Sequence, residues 1–331
     1  MYQPDSYQAA LFLMLLSMIC WGSWANTMKL ARNVPFQLFY WDYVIGLILA
    51  SALFGVTAGS IGQNSDSFLG NLEHANGVHF ALALASGAVF NVANILLVAS
   101  IEIAGMAVAF PVGIGIALVL GTLLNYLLAP AGNPWLIFLG VALVMAAIIL
   151  DAVAYRRREK VHRKVTARAV QLCIVSGILM GCFYPLMTRA TSGEGALTPY
   201  SVSFIFSLGV AVCAIPVNYW LMRRPITAEA SITLGQYGRL PGWSHFWGVV
   251  GGAIWCLGGT SNFVASKAHL VGPAVSYAIG QGATMVSAAW GVMVWKEFAG
   301  SPENARRLIP YVFVLFLAGL GLLTLVPILS K

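Results

Sequence analysis

The scarcest feature of this sequence is charge: Asp, Glu, Lys and Arg make up 9% of its 331 residues, whereas 59% are hydrophobic. A typical soluble protein carries about 25% charged residues. A surface this poor in charge cannot face water over most of its area, so the composition excludes a soluble globular protein and predicts an integral protein of the lipid bilayer. The net charge of +7 would indicate nucleic acid in a soluble protein. Here the placement of the basic residues explains it, and no nucleic-acid partner is predicted.

Patterns for catalysis and for metal or cofactor binding are also missing. The five cysteines fall singly inside apolar runs, without the spacing of a metal or redox site, and are interpreted as small core residues. The sequence contains no nucleophile–base pattern, phosphate-binding loop or metal-ligand cluster, and its lone histidines fall at helix ends or in loops. It therefore predicts neither an enzyme nor a metal or cofactor. Because the N-terminus lacks a basic n-region, the first apolar run is predicted to be a retained helix.

Apolar runs of about 20 residues, the length that crosses a bilayer, occur ten times. The predicted helices are 9–30, 37–57, 78–100, 105–127, 135–155, 167–189, 199–222, 244–266, 271–294 and 309–329. The sequence therefore predicts an all-α, multi-pass membrane protein with ten transmembrane helices.

Basic residues concentrate on one side of these predicted helices. If the connections alternate between two sides, 15 of the 18 Lys and Arg share a side with the run at 156–166, and only Arg189, Lys267 and Lys331 fall on the other. The positive-inside rule places the basic side in the cytoplasm and both termini outside the cell (plasma or inner) membrane. The run itself is interpreted as a retention signal that fixes this topology, with a lipid- or partner-binding patch as the alternative.

One stretch of the chain occurs as two similar copies. The first copy contains Gly-Ala-Val-Phe at 87–90, Gly-Ile-Gly at 113–115 and Ala-Gly-Asn-Pro at 131–134. The second copy contains, in the same order, Gly-Ala-Ile-Trp at 252–255, Gly-Gln-Gly at 280–282 and Ala-Gly-Ser-Pro at 299–302. The offsets between corresponding motifs are 165 to 168 residues. Trp24, Lys29 and Tyr40 correspond more weakly to Tyr184, Arg189 and Tyr200, at an offset of 160. With five helices per half, the second half enters the membrane from the opposite side. The sequence predicts two inverted repeats, 1–155 and 167–331, joined by a basic cytoplasmic linker at 156–166.

Polar and aromatic residues at mid-helix depth indicate a solute site, because inverted repeats bind solutes near the midplane and unpartnered amides are costly there. Asn91 and Asn94 share one face of the third helix, and Trp255 and Asn262 share one face of the eighth. Flat aromatic faces beside amide donors suit a sugar ring or a planar heterocycle. The predicted substrate-binding residues are Trp21, Trp24, Asn26, Asn91, Asn94, Tyr184, Trp255, Asn262, Tyr277 and Gln281.

Structural roles compete with this interpretation. Glycines on the same faces are what close helix packing requires, and any single amide can serve as an interhelical hydrogen bond. The convergence of amides on both copies of the repeated stretch favours a polar-lined cavity.

Two ionisable positions have alternative interpretations. Asp42, near the start of the second helix, either pairs with Lys29 or Arg32 or acts as a proton-coupling carboxylate. Lys296-Glu297, at the end of the ninth helix, is either an interfacial gate or an anchor. The midplane itself shows amides and no clear Asp or Glu, which favours a neutral solute.

These motifs resemble the drug/metabolite transporter superfamily, whose members have ten helices in two five-helix repeats. Within it, Gly22-Ser23-Trp24, Tyr40-x-Asp42-Tyr43 and Leu-Gly-Thr-Leu-Leu-Asn-Tyr at 120–126 resemble the ureide permeases. Lys296-Glu297-Phe298, with the basic pair that follows, resembles the glucose/ribose and rhamnose porter group. The chain departs from the first in its short central loop, and from the second in having Trp24-Ala25-Asn26 instead of a double lysine.

The resemblance implies secondary uptake of a small polar solute, a sugar or a ureide or nucleobase, driven by H⁺ or Na⁺ through alternating access. It makes Asp42 the candidate coupling residue. An exporter of drugs or metabolites from the same superfamily is the nearest alternative, followed by a membrane-embedded enzyme or assembly subunit and by a channel. Assembly as a homo-oligomer stays open.

Overall fold

The structure is a computed structural model that describes residues 1–61, 67–158, 166–224, 231–268 and 270–329. Within these residues, nine helices are long and apolar enough to cross a membrane. They are α1 (Tyr7–Leu30), α2 (Phe36–Val56), α3 (Gly77–Ala104), α4 (Met106–Leu128), α5 (Pro134–Arg158), α6 (Ala167–Ala190), α7 (Pro199–Arg223), α8 (Gly242–Lys267) and α11 (Glu303–Leu329). Most bounds agree with the predicted ones within a few residues, because apolar length and polar capping residues such as Thr166 and Thr198 fix them locally.

The ninth predicted helix, 271–294, is not continuous, which corrects the prediction of ten unbroken helices. It consists of α9 (Pro273–Gly280) and α10 (Ala283–Ala289), and α10 runs on into a π-helical turn, Trp290–Val294. The break falls at Gln281 and Gly282, inside the Gly-Gln-Gly motif. Glycine weakens a helix because it loses more backbone freedom on ordering than any other residue. The pair of glycines therefore gives a local reason for the break.

The first copy of the repeated stretch is irregular at the corresponding place. Its Gly-Ile-Gly motif at 113–115 closes a π-helical turn in α4, Phe110–Ile114, where Pro111 supplies no N–H. The bends that precede the two segments also agree, because Gly105 and Gly272 have φ angles of 78° and 84°. Both copies therefore turn at a glycine in the left-handed region and lose α-helical geometry at the same motif.

Glycines bring two corresponding pairs of helices into backbone contact. A Cβ on Gly87 of α3 would lie 2.1 Å from the carbonyl oxygen of Phe206 in α7. A Cβ on Gly252 of α8 would lie 1.9 Å from the carbonyl oxygen of Tyr43 in α2. Any side chain at either position would force the helices apart, so α3 packs on α7 as α8 packs on α2.

Both chain ends lie at the same end of the bundle, which we call the terminal end. The Tyr2 N–H donates to the Ala58 carbonyl at 2.8 Å, and the Tyr7 hydroxyl donates to the Thr324 carbonyl. At the opposite end, α5 continues through Arg156–Arg158, so the first residues of the predicted linker are helical. The rest of that linker, 159–165, lies outside the described residues.

Candidate functional site

A cavity of about 770 Å³ opens at the terminal end of the bundle; we call it the terminal cavity. The ends of α4, α6 and α8 and the start of α9 form much of its wall, including Ala129, Gly132, Thr188, Ser266, Lys267 and Gly272. None of the predicted substrate-binding residues lines it. The cavity is therefore separate from the predicted substrate-binding residues.

Tyr184 and Asn262 join α6 to α8 directly below this cavity. They lie one helical turn from Thr188 and Ser266, which line it. The Tyr184 hydroxyl donates to Asn262 Oδ1 at 2.5 Å, and Asn262 Nδ2 donates to the Ser276 carbonyl at 3.0 Å. The structure thus brings two predicted site residues from different helices into one buried, hydrogen-bonded pair.

Trp255 is the centre of an aromatic cluster deeper in the bundle. Its ring centroid lies 5.7 Å from that of Trp21, 4.4 Å from that of Phe90 and 5.4 Å from that of Phe206. The Phe206 ring is parallel to it within 5°. Rings from α1, α3, α7 and α8 therefore meet at one point. Of these, Trp21 and Trp255 were predicted from the sequence as candidate site residues, whereas Phe90 and Phe206 were not.

Asn91 and Asn94 face α2 beside this cluster. The Tyr40 hydroxyl donates to Asn91 Oδ1 at 2.9 Å, and Asn94 borders the same hydroxyl. Tyr40 in turn stacks on Tyr43 at 5.2 Å between ring centroids, and Tyr43 contacts Trp24 at 4.9 Å. These contacts place the two amides among the aromatic rings of α1 and α2.

Four buried donor groups in this region have no hydrogen-bond partner among the described residues. They are Trp21 Nε1, Tyr43 OH, Asn91 Nδ2 and Asn94 Nδ2. A buried polar group without a partner costs about 1–3 kcal/mol, and folded proteins rarely keep several together. These four donors lie around one aromatic cluster.

Three other predicted residues have partners of their own or lie apart. Asn26 accepts a hydrogen bond from Trp295 Nε1 at 2.6 Å, at the end opposite the terminal cavity. The Tyr277 hydroxyl donates to the Ala117 carbonyl at 3.0 Å, which ties α9 to α4. Gln281 is buried at the break between α9 and α10. Their roles in solute binding stay predictions.

Asp42 does not pair with Lys29 or Arg32, the partners that the sequence suggested. Its carboxylate accepts a hydrogen bond from the Tyr237 hydroxyl at 2.6 Å and lies 2.8 Å from His245 Nδ1. Burial, and then the carboxylate of Asp42, raise the pKa of Tyr237 well above its usual range. Asp42 is itself buried, so these two groups compensate it at the end opposite the terminal cavity.

Glu297 joins three segments of the chain at that opposite end. Its carboxylate lies 2.9 Å from Lys29 Nζ of α1 and 3.0 Å from Arg158 Nη1 of α5, and accepts a hydrogen bond from the Tyr155 hydroxyl at 3.0 Å. We call Lys29, Tyr155, Arg158 and Glu297 the ion-pair seal. Trp290 Nε1 donates to Ser23 Oγ at 2.9 Å next to it.

Sequence reasoning missed one buried acid near the seal. Asp151 of α5 is 4% exposed, and it lies four residues before Tyr155 and seven before Arg158. That spacing puts the three side chains on one helix face, which was the available signal. The long apolar run on both sides obscured it.

Comparisons with known proteins agree with one another. The family model described as ureide permease matches residues 39–169 and 150–325. Ureide permease 1 of Arabidopsis thaliana is 23% identical over 388 residues, which cover 98% of this chain and 98% of that protein. Ureide permease 5 of the same plant is also 23% identical, over 97% of this chain and 95% of that protein.

Two further similarities are more distant. A protein of Listeria innocua whose name assigns it to sugar uptake is 20% identical over 285 residues, 86% of this chain and 88% of that protein. A crystal structure superposes with a TM-score of 0.65 at 16% identity, covering 98% of this chain and 99% of that chain. At that identity the second similarity shows the fold alone.

Proposed function

The chain belongs to the ureide permease family, and from that premise we propose that it imports a small neutral polar solute by proton-coupled alternating access. The family and the apolar helices make it a multi-pass membrane transporter. What we propose beyond this is the solute class (a sugar, a ureide or a nucleobase), import as the direction of transport, coupling to protons and location in the cell membrane.

The four unpartnered donors carry this proposal. Trp21 Nε1, Tyr43 OH, Asn91 Nδ2 and Asn94 Nδ2 lie around an aromatic cluster without any hydrogen-bond acceptor among the described residues. A solute that presents carbonyl or hydroxyl oxygens would satisfy them, while its flat face packs on Trp255. The donors carry no net charge, so they suit a neutral solute.

Two inverted five-helix repeats, with both termini outside, complete the proposed architecture. Matching bends at Gly105 and Gly272, and matching backbone contacts at Gly87 and Gly252, support the repeats. The location of both termini at one end supports an even number of crossings, with α9 and α10 together making one of them. The basic residues then orient the opposite end toward the cytoplasm.

In this orientation the structure has the arrangement expected of an outward-facing carrier. The terminal cavity opens to the outside, and the Tyr184–Asn262 pair lies between it and the aromatic cluster. The ion-pair seal closes the cytoplasmic end, which supports the interpretation of Glu297 as a gate. Transport requires the seal to open and the terminal cavity to close, as in other inverted-repeat carriers.

Asp42 is the proposed coupling residue. Its carboxylate is buried and shares a hydrogen-bonded site with Tyr237 and His245. Proton exchange at such a site can change the packing of α2 against α8, which Gly252 brings together.

Export of a cationic drug has less support. It would need a carboxylate among the central rings, and the unpartnered groups there are donors. Asp42 instead contacts Tyr237 near the proposed cytoplasmic end, and Asp151 is buried near the same end.

A thermal-shift experiment with the purified protein tests the proposal. A sugar, ureide or nucleobase that binds should stabilise the fold, by about 2.7 kcal/mol at a hundredfold excess over its dissociation constant. Asn94→Leu should abolish this shift, because it removes one of the four donors proposed to bind the solute. Asp42→Asn should keep the ligand-induced shift and remove its dependence on pH.

Asn125→Leu is the matched control. Both amide atoms of Asn125 are bonded, to Thr188 and Gly121, so the change should destabilise the protein and leave the ligand shift intact. Stabilisation by lipophilic cations alone would replace import by export.

A further inference from the structure

Asp151 is a buried carboxyl that the proposed transport cycle does not use. It is 4% exposed, and no ion pair or hydrogen bond joins it to any described residue. Arg158, on the same face of α5, pairs with Glu297 instead. Asp151 therefore stands beside a closed ion-pair network without a cation of its own.

The ionisable groups around Asp151 come from each segment packed on this part of α5. Tyr155, one helical turn after Asp151 on α5, donates a hydrogen bond to Glu297 Oε2 at 3.0 Å, so the loop after α10 packs against the face of α5 that carries Asp151. Lys29 of α1 and Arg158 are bound to Glu297. The start of α4 has no ionisable side chain here, and at the start of α11 Arg306 is exposed and Glu303 pairs with Arg307 at the surface.

Glu297 is held tightly in position. Its N–H donates to the Gly291 carbonyl at 2.8 Å, and the preceding residue, Lys296, adopts a left-handed φ of 51°. A Cβ on Gly291 would lie 2.8 Å from the Tyr155 hydroxyl. The π-helical turn therefore packs directly on the face of α5 that carries Asp151.

We infer that Asp151 is a proton-binding site: it holds a proton while the ion-pair seal is closed and releases it to cytoplasmic water when the seal opens. This inference rests on the proposed function, because it takes the seal as the cytoplasmic gate. One O–H bond of the carboxyl breaks on opening and forms again on closing, and no other group changes its chemistry.

The closed arrangement favours the protonated carboxyl. Ionising Asp151 there would place a second negative charge in the protein interior next to Glu297, with both available cations already committed. Opening moves α1 and the loop after α10 away, and takes Lys29 and Glu297 with them. Arg158 stays on the helix of Asp151 and, with entering water, compensates the ionised carboxylate.

Glu297 itself is a poor candidate for this proton. Burial alone would raise the pKa of Glu297, but the hydrogen bond and charge of Lys29, together with Tyr155 and Arg158, hold that pKa below its usual range. Glu297 therefore stays ionised through neutral pH. Any proton linked to the seal at neutral pH must bind elsewhere, and Asp151 is the adjacent acid.

Spin-label distances across the seal test the inference without any solute. Leu30 of α1 and Arg156 of α5 are exposed beside the seal but take no part in it. With both changed to spin-labelled cysteine in a background free of native cysteines, the ratio of long to short distances should rise about tenfold per pH unit where one proton is released. Asp151→Asn should remove this dependence and keep the short distance between pH 5 and 8.

Glu303→Gln is the matched control, because it removes an exposed acid at the same end of the bundle. It should leave the pH dependence unchanged. A pH dependence that survives in Asp151→Asn, or disappears in Asp42→Asn instead, would overturn the assignment. If the dependence is confirmed but no neutral solute binds, the proton site stands and the import proposal fails.

Discussion

The two ends of the bundle are formed by corresponding helices of the two halves of the chain, but they differ in their charged residues. At the terminal end, α4 and α6 end beside the terminal cavity. At the opposite end, α10 and α1 end in the ion-pair seal. The sequence offsets of 160 and 168 pair Lys29 with Arg189 and Glu297 with Ala129. A cation is thus present at both ends, whereas the acid that binds it is present at only one.

This difference suggests what sets the preferred conformation of the carrier. The shared scaffold provides two ends that can each close, as the matching backbone contacts at Gly87 and Gly252 indicate. The carboxylate of Glu297 stabilises closure at one end alone. In the proposed transport cycle, a single acidic side chain on a symmetric frame would therefore be enough to favour the outward-facing state.

The largest expected effect comes from disrupting the two corresponding helix contacts, α3 with α7 and α8 with α2. Gly87→Ala and Gly252→Ala should each destabilise the protein by about 3 kcal/mol, since the new Cβ would overlap a carbonyl oxygen of the facing helix. Thermal unfolding in detergent measures this. Gly321→Ala is the control, because its Cβ would meet nothing within 4 Å and alanine favours a helix by up to about 1 kcal/mol. A large loss in only one of the two variants would argue against an equivalent frame.

A smaller effect is expected from removing the acid. Glu297→Gln should shift the seal toward opening by about 2 kcal/mol, the contribution of hydrogen bonds to a charged group. Lys29→Gln should have a weaker effect, because the Lys29 side chain is 47% exposed and solvent weakens its ion pair. The Leu30–Arg156 label distance measures both. Equal effects of the two changes would contradict this ranking.

The stabilising contribution of the Glu297 carboxylate also has a defined pH dependence. A carboxyl whose pKa is lowered in the folded state stabilises that state above its unfolded pKa, near 4.5, and loses this contribution as the pH falls through the folded value. The contribution of Glu297 should therefore be constant between pH 5 and 8 and decline only below pH 4.5.

The smallest effect should come from adding an acidic residue at the terminal end, at Ala129, the position that corresponds to Glu297. Ala129→Glu would place a carboxylate at the rim of the terminal cavity, near the end of the helix that carries Arg189. An exposed ion pair contributes at most about 1 kcal/mol, so outward opening should decrease slightly. Access of a thiol reagent to a cysteine at Ser192, which lines the cavity, measures it, with Ala129→Gln as the control. Faster labelling of the Glu variant would contradict the expectation.

The sequence predicted the helices well because their signals are local. Apolar length fixes a spanning helix whatever its neighbours are, and the recurrence of the Gly-x-Gly motif marked where both copies are irregular. The break at Gln281–Gly282 was missed because a hydropathy pattern does not distinguish an α-helix from an interrupted one.

The site was only partly predictable because its contacts join distant parts of the chain. Asn91 and Asn94 were predicted as site residues from their common helix face. The partners of Asp42, Tyr237 and His245, lie about 200 residues away, and no spacing rule connects them. Asp151 was overlooked because Glu297, which packs on the same face of α5 through Tyr155, comes from a distant part of the chain.

The π-helical turn Trp290–Val294 gives the seal a mechanical property. A π-helical turn closes i→i+5 hydrogen bonds and so holds one residue more than an α-helical turn. If that residue were passed on along the segment, the chain beyond it would rotate by about 100° and advance by about 1.5 Å. Trp295 and Glu297 follow directly after the turn. A shift of the helical register by one residue would therefore rotate Glu297 away from Lys29, Tyr155 and Arg158 at the same time.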